Sequence, residues 1–325
     1  MTRPMAAALI TILILLTGRL SAEQLPAGAT REKVILDTDI GDDIDDAFAL
    51  AFVLSSPGFE LLGVTTAWGD TQLRARLTQR LLCETGMEKI PVFAGISTQT
   101  NTPLDGAPWA KEFPRPAQPY PPALDFVFDQ IRRYPNEITL LAIAPLTNVG
   151  AFIDRDPDTF RKLKRVVMMG GSIHRGYGDL GYMPDHGPDP EYNIKSDTRS
   201  AQKLFASGVP IFMMPLDSTQ LKLDEVKRQL IFQLATPLTD ALALLYHHWG
   251  QQTPTLFDPV AIAFAIEPEI CPTQPMHIEV DEKGYTRPGA GTVNAEVCLD
   301  SRSDQFFRLY MRRILSQKLA GHCSR

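Results

Sequence analysis

The chain has 325 residues, of which 44% are hydrophobic and 22% charged, an ordinary globular composition with enough apolar material for a sizeable core. That suits one large α/β domain or two small ones. The net charge is −6 and no Lys/Arg-rich run occurs, which argues against nucleic acid as a partner.

The N-terminus carries Arg3, an apolar run over residues 6–16, and then the small pair Ser21-Ala22. That run is too short to span a membrane. The pattern predicts a secretory signal peptide over residues 1–22, with a signal anchor as the alternative. The mature protein is then exported, periplasmic or secreted, and free of the membrane.

Apolar runs of strand length are predicted at 34–36, 61–66, 138–143, 165–169 and 210–214. Helical patterns lie between or after them at 45–55, 72–85, 123–134, 148–155 and 196–206. This alternation predicts a mostly parallel sheet with crossover helices. Two long proline-rich loops, 96–122 and 170–190, interrupt it, and the second holds six glycines. Loops of that length in a compact domain usually bind or cover something. Residues 221–248 read as helix, as do 260–266. A β-meander is expected over 277–299 and a final amphipathic helix over 303–319. Four cysteines occur, Cys83, Cys271, Cys298 and Cys323, with no zinc-ligand spacing. In an exported protein Cys271 and Cys298 are the most local disulfide pair, and buried free thiols are the alternative.

The most informative segment is 37–46, in which Asp37, Asp39, Asp42, Asp43, Asp45 and Asp46 are six carboxylates among ten residues. It follows the first strand and precedes the first helix, where open α/β sheets place their ligands. Clustered carboxylates repel one another, so a compensating cation is expected. Oxygen-only ligands point to a hard ion, Ca²⁺ or Mg²⁺.

Other predicted strand ends carry polar or backbone-special residues: Thr65-Thr66-Ala67-Trp68-Gly69-Asp70, Pro145-Leu146-Thr147-Asn148 and Met168-Met169-Gly170-Gly171. Glu191-Tyr192-Asn193 and Phe257-Asp258-Pro259 each open a helix. In this order the segments resemble the inosine–uridine-preferring nucleoside hydrolases, from about residue 33 to 301. The resemblance implies a Rossmann-like, mostly parallel sheet with helices on both faces, in a single catalytic domain over 33–319. It also implies a calcium-dependent hydrolase that cleaves ribonucleosides to base and ribose, and often a homo-oligomer. Outside the cytoplasm such an enzyme would scavenge nucleosides.

Residue by residue, the resemblance assigns Asp39, Asp46, Asp258 and the Thr147 carbonyl to calcium, with Asp37 supporting that shell. Asp45 becomes the base that activates water. Two extra residues after Gly41 make Asp43 its competitor. Asp70, Met169, Glu191 and Asn193 match the sugar contacts. Asp42 reads as helix N-terminal charge, and Asp258 before Pro259 also reads as a cap. Where many members have a histidine as acid to the leaving base, this chain has Phe257. His174 and His186, on the glycine-rich loop, are the better substitutes, and Trp109 is a candidate to stack on a base. The metal and ribose half of the site thus matches the family, and the base half departs from it.

Other readings compete with this one. A dehalogenase-like phosphatase would use Asp37 and Asp39 but lacks its downstream Lys. An EF-hand fits less well, with Asp42 where glycine is required and no glutamate at the twelfth position. A non-catalytic exported calcium- and sugar-binding protein agrees with the loss of histidine at Phe257. It leaves Asp45 without a purpose. A hydrolase of another N-ribosyl compound also stays open.

Overall fold

The first strand owes its place to burial on both sides. Val34, Ile35 and Leu36 are wholly inaccessible at the centre of β1 (Glu32–Thr38), as expected for a central strand of a sheet covered on both faces. A computed structural model describes residues 30–180 and 186–321. The predicted signal segment lies outside the described residues.

The next strands are β2 (Phe59–Thr66), β3 (Val92–Ala94), β4 (Ile138–Ala142), β5 (Arg165–Met169) and β6 (Ile211–Met214). Later come β7 (Thr273–Met276), β8 (Ile278–Val280), β9 (Thr286–Pro288) and β10 (Ala295–Cys298). Eight form one sheet in the order β3-β2-β1-β4-β5-β6-β10-β7. All neighbours are parallel except β10 and β7. The mostly parallel, Rossmann-like architecture expected from the sequence is what the chain adopts.

Helices cover both faces. On one side lie Asp45–Leu54, Phe257–Ile266 and Ser303–Ser316, with Phe48, Phe52, Val260 and Phe306 in a common core. On the other, Ala123–Arg133, Thr147–Arg155 and Thr198–Ala206 bury Phe128, Phe152 and Leu204. The Asp45–Leu54 helix is buried from Asp45 to Val53, so its first two acids are carried inside with it. The parallel register sets Asp37 beside Thr65 and Ala142, and Ala142 beside Met168. The carboxyl ends of β1, β2, β4 and β5 therefore meet along one edge.

Several elements differ from expectation. The predicted 221–248 helix is two, Glu225–Phe232 and Pro237–Trp249. Thr236 caps the second with Pro237 in its first turn, and proline cannot continue a preceding helix. The 96–122 loop contains β-bridge residue Pro122 and the short helix Ala107–Glu112. The expected meander is split. β8 and β9 form a separate hairpin, whereas β10 joins the main sheet parallel to β6. Cys271 and Cys298 are disulfide-bonded, with Cα atoms 5.6 Å apart. Cys83 is disulfide-bonded as well.

The Cys271–Cys298 bond closes a loop with a separation of 27 residues. Replacing both cysteines by alanine should lower stability by about 3 kcal/mol through the freed unfolded chain. Denaturant unfolding of the variant and the parent measures this, and equal midpoints would refute it.

Candidate active site

β1 ends at Thr38, and the chain then turns through Ile40-Gly41-Asp42-Asp43-Ile44 into the Asp45–Leu54 helix. Gly41 has φ 121°, and a Cβ there would lie 2.9 Å from Leu104 Cδ1. Only glycine takes this conformation in this space. The turn delivers Asp39, Asp45 and Asp46 to one place. Carboxylate oxygens of Asp45, Asp46 and Asp258 lie within 4.8 Å of one another. All three are buried, as is Asp39 at 5% exposure. Asp258 arrives on the Phe257–Ile266 helix, and its backbone N–H donates to Asp45 Oδ2 at 3.1 Å. Its side chain makes no helix cap, so the capping reading of Asp258 is not observed.

The acidic turn is held from below by Arg74, which the sequence reading did not single out. Its guanidinium is 1% exposed and donates to the carbonyls of Asp39, Ile40 and Trp68, and to Asp42 Oδ2 at 2.7 Å. Asp42 is therefore an ion-pair partner, which corrects its reading as helix-terminal charge. Thr38 Oγ1 donates to Asp46. Asp37 lies behind the cavity, where Oδ1 accepts from Thr65 at 2.6 Å and Asn148 at 2.7 Å. Its Oδ2 is buried without a partner among the described residues.

The opposite wall starts at Glu191, which caps the Tyr192–Ser196 helix. Its carboxylate accepts from the amides of Gly171, Asn193 and Ile194 at 2.8, 2.9 and 3.1 Å. Asn193 Nδ2 donates to the Met169 carbonyl at 3.2 Å. The walls enclose a cavity of about 510 Å³, and Asp39, Asp45, Asp46, Met169, Glu191, Asn193 and Asp258 all line it. Seven residues spread over the sequence thus line one cavity.

Others do not. Asp70 is exposed and its carboxylate accepts from Leu73 N at 3.0 Å as a helix cap; it lines a different surface depression. Trp109 is 2% exposed in the core, stacked under Arg80, so it does not face a base. His174 and His186 are exposed and outside the cavity lining. Thr147 sits at the start of the Thr147–Arg155 helix, with its hydroxyl on Asp197 at 2.9 Å. It too is outside the cavity lining. Asp43, by contrast, does line the cavity, but it is exposed, with Oδ1 accepting from Ile44 N at 2.7 Å. Of the two rivals, Asp45 is the one within the buried cluster.

Four aromatic residues complete the cavity: Tyr177, Tyr192, Trp249 and Phe257. The rings of Tyr177 and Phe257 meet edge to face, 6.2 Å between centroids. Tyr177 comes from the glycine-rich loop, whose length was the available signal for it. Nothing local marked Trp249.

Burial dominates the electrostatics. It pushes Asp37 up to about 6 and Asp39 and Glu191 up to about 7. Burial, then mutual repulsion, raises Asp45, Asp46 and Asp258 well above the usual carboxylate range. Such a group of oxygen donors suits a hard divalent cation, which would discharge this repulsion.

The model of the inosine-uridine preferring nucleoside hydrolases matches residues 34–308. The chain belongs to that family. It is 29% identical over 282 residues to uridine nucleosidase 1 of Arabidopsis thaliana, covering 78% of this chain and 79% of that one. It is 28% identical to a pyrimidine-specific ribonucleoside hydrolase of Shigella sonnei, covering 77% and 83%. Among solved structures, a plant nucleoside hydrolase shares the fold with a TM-score of 0.76 at 23% identity, covering 88% of this chain and 99% of that one. A purine-preferring ribonucleoside hydrolase from Gardnerella vaginalis aligns with a TM-score of 0.71 at 25% identity, covering 87% and 98%.

Two outcomes are expected. The raised carboxyls bind more protons folded than unfolded once the pH exceeds about 4. Without a cation, stability should therefore be greatest near pH 4 and fall as pH rises through about 7. Chelator-treated protein should melt lower at pH 8 than at pH 5, and calcium should raise the melting temperature more at pH 8. A higher melting point at pH 8 in chelator would contradict this. Arg74→Met should cost about 3–5 kcal/mol in denaturant unfolding, because it strands Asp42 and three carbonyls; an unchanged midpoint would contradict that.

Proposed function

We propose that this protein is a calcium-dependent N-ribohydrolase that cleaves ribonucleosides to free base and ribose. The observation that carries the reading is the buried Asp45–Asp46–Asp258 cluster facing Glu191, Asn193 and Met169 across one cavity. Family membership supports it.

In this reading Asp39, Asp46 and Asp258 would hold the cation; the Thr147 carbonyl is a further ligand by the family resemblance alone. When bound, the ion acidifies a water and anchors sugar hydroxyls. Asp45 takes the proton of the attacking water. Its Oδ2 already engages the Asp258 amide, which fixes the carboxylate in the cluster. Asn193 and Glu191 receive ribose hydroxyls, and Met169 packs against the sugar. The C1′–N bond breaks with its electron pair passing to the base, through an oxocarbenium-like transition state. The carboxylates of the cavity favour that developing positive charge. Asp37 stands behind this set and keeps Asn148 and Thr65 in place.

We also propose that the protein works outside the cytoplasm after loss of residues 1–22. The Cys271–Cys298 disulfide agrees with an oxidising compartment.

Purified mature protein should release reducing sugar from uridine or inosine with calcium and lose this with chelator. Asp45→Asn should lower kcat by about 10²–10⁴-fold with calcium still bound. Asp46→Asn should lose both calcium binding and turnover. Calcium binding without sugar release from any riboside would favour a binding protein on this scaffold.

A further inference from the structure

The cavity carries acidic residues that the ribose and cation roles do not use. Asp42, Asp43 and Asp105 line it in addition to the residues assigned above, and no lysine, arginine or histidine among the described residues does. Asp42 is 8% exposed at its side chain, and Arg74 engages only Oδ2. Asp42 Oδ1 is buried and has no hydrogen-bond partner among the described residues. Asp43 and Trp249 line the same cavity. Tyr177 and Phe257 supply ring surface to the same cavity.

A neutral base departs as an anion and needs a proton or a strong donor. Phe257 offers none. The Tyr192 hydroxyl is shared with Thr102 at 3.2 Å. The Tyr177 hydroxyl accepts from Tyr192 N at 2.9 Å. A base that is cationic in the riboside departs neutral and needs no proton. Carboxylates and aromatic faces together are also the surroundings that bind such a cation.

We propose that the preferred substrates are N-ribosides of cationic heterocycles, such as pyridinium or N7-alkylated purine ribosides. The carboxylates of Asp43 and Asp105 and the rings of Trp249, Tyr177 and Phe257 receive the charged base. The reaction balances without an acid. Water adds to C1′, its proton passes to Asp45 and then to solvent, and the C1′–N electron pair neutralises the departing ring. This inference rests on the riboside-hydrolase reading of the cavity.

Cationic ribosides are intrinsically labile, so turnover alone does not decide the matter. The test uses the calcium-loaded mature protein with 4-nitrophenyl β-ribofuranoside as reporter, whose leaving group needs no acid. Inhibition of that reaction by 1-methylnicotinamide, a cation, is compared with inhibition by neutral nicotinamide. The methylated compound should bind at least about tenfold tighter, and Asp105→Asn should reduce that preference severalfold. Nicotinamide riboside should exceed uridine and inosine in kcat/KM, and its advantage should shrink at high salt. Equal inhibition by the two compounds, with the reporter still cleaved, overturns the cation preference and leaves the hydrolase reading standing. An unaltered preference in both Asp105→Asn and Asp43→Asn overturns the assignment to these carboxylates. Failure to cleave the reporter or any riboside overturns the hydrolase reading, and this inference with it.

Discussion

Carboxylates packed out of water are the constraint on which the rest of this molecule depends. Asp39, Asp45, Asp46 and Asp258 are each no more than 5% exposed, around one cavity floor. Burial alone makes ionised carboxylates costly, and proximity adds repulsion. The chain answers with fixed donors around the cluster. Arg74 takes the carbonyls of the acidic turn and Thr38 takes Asp46. Across the cavity, three backbone amides hold Glu191. None of these donors neutralises the Asp45–Asp46–Asp258 group itself, and that is the opening for a cation.

The sheet makes the cluster buildable. β1 is paired on both sides, so Asp37 is locked against Thr65 and Ala142. From there the turn at Gly41 decides where Asp45 and Asp46 enter. The Phe257–Ile266 helix packs along the Asp45–Leu54 helix within the same core, which brings Asp258 to them from more than two hundred residues away. The aromatic and acidic mouth is attached to this frame but built from loops and helix ends. Substrate choice can therefore change without disturbing the floor, as expected where function sits on loops over a rigid scaffold.

The floor was legible in the sequence because a strand, a dense acidic turn and a helix lie consecutively in the chain. The mostly parallel sheet was legible from the alternation of apolar runs. Asp70 and Glu191 mark where legibility stops. Both precede a helix and both cap it with a carboxylate. Glu191 is 2% exposed inside the cavity, whereas Asp70 is exposed outside it. Local pattern is the same for the two, and only tertiary packing separates them. Trp109 failed for a similar reason, since an aromatic residue in a long loop reads alike whether it meets a ligand or fills the core under Arg80. Arg74 was missed because a lone arginine in an amphipathic helix is ordinarily solvated. Trp249 and Asp105 reach the site only through contacts distant in sequence.

The central claim is that a divalent cation completes the carboxylate cluster. Calorimetric titration of calcium into chelator-stripped protein, in two buffers of different ionisation enthalpy near pH 7, tests it most directly. The account expects one ion per chain, with net release of protons as the raised carboxyls ionise on binding. Asp46→Asn should remove that heat. No saturable binding by the folded parent protein, or binding unaffected by Asp46→Asn, would contradict the account.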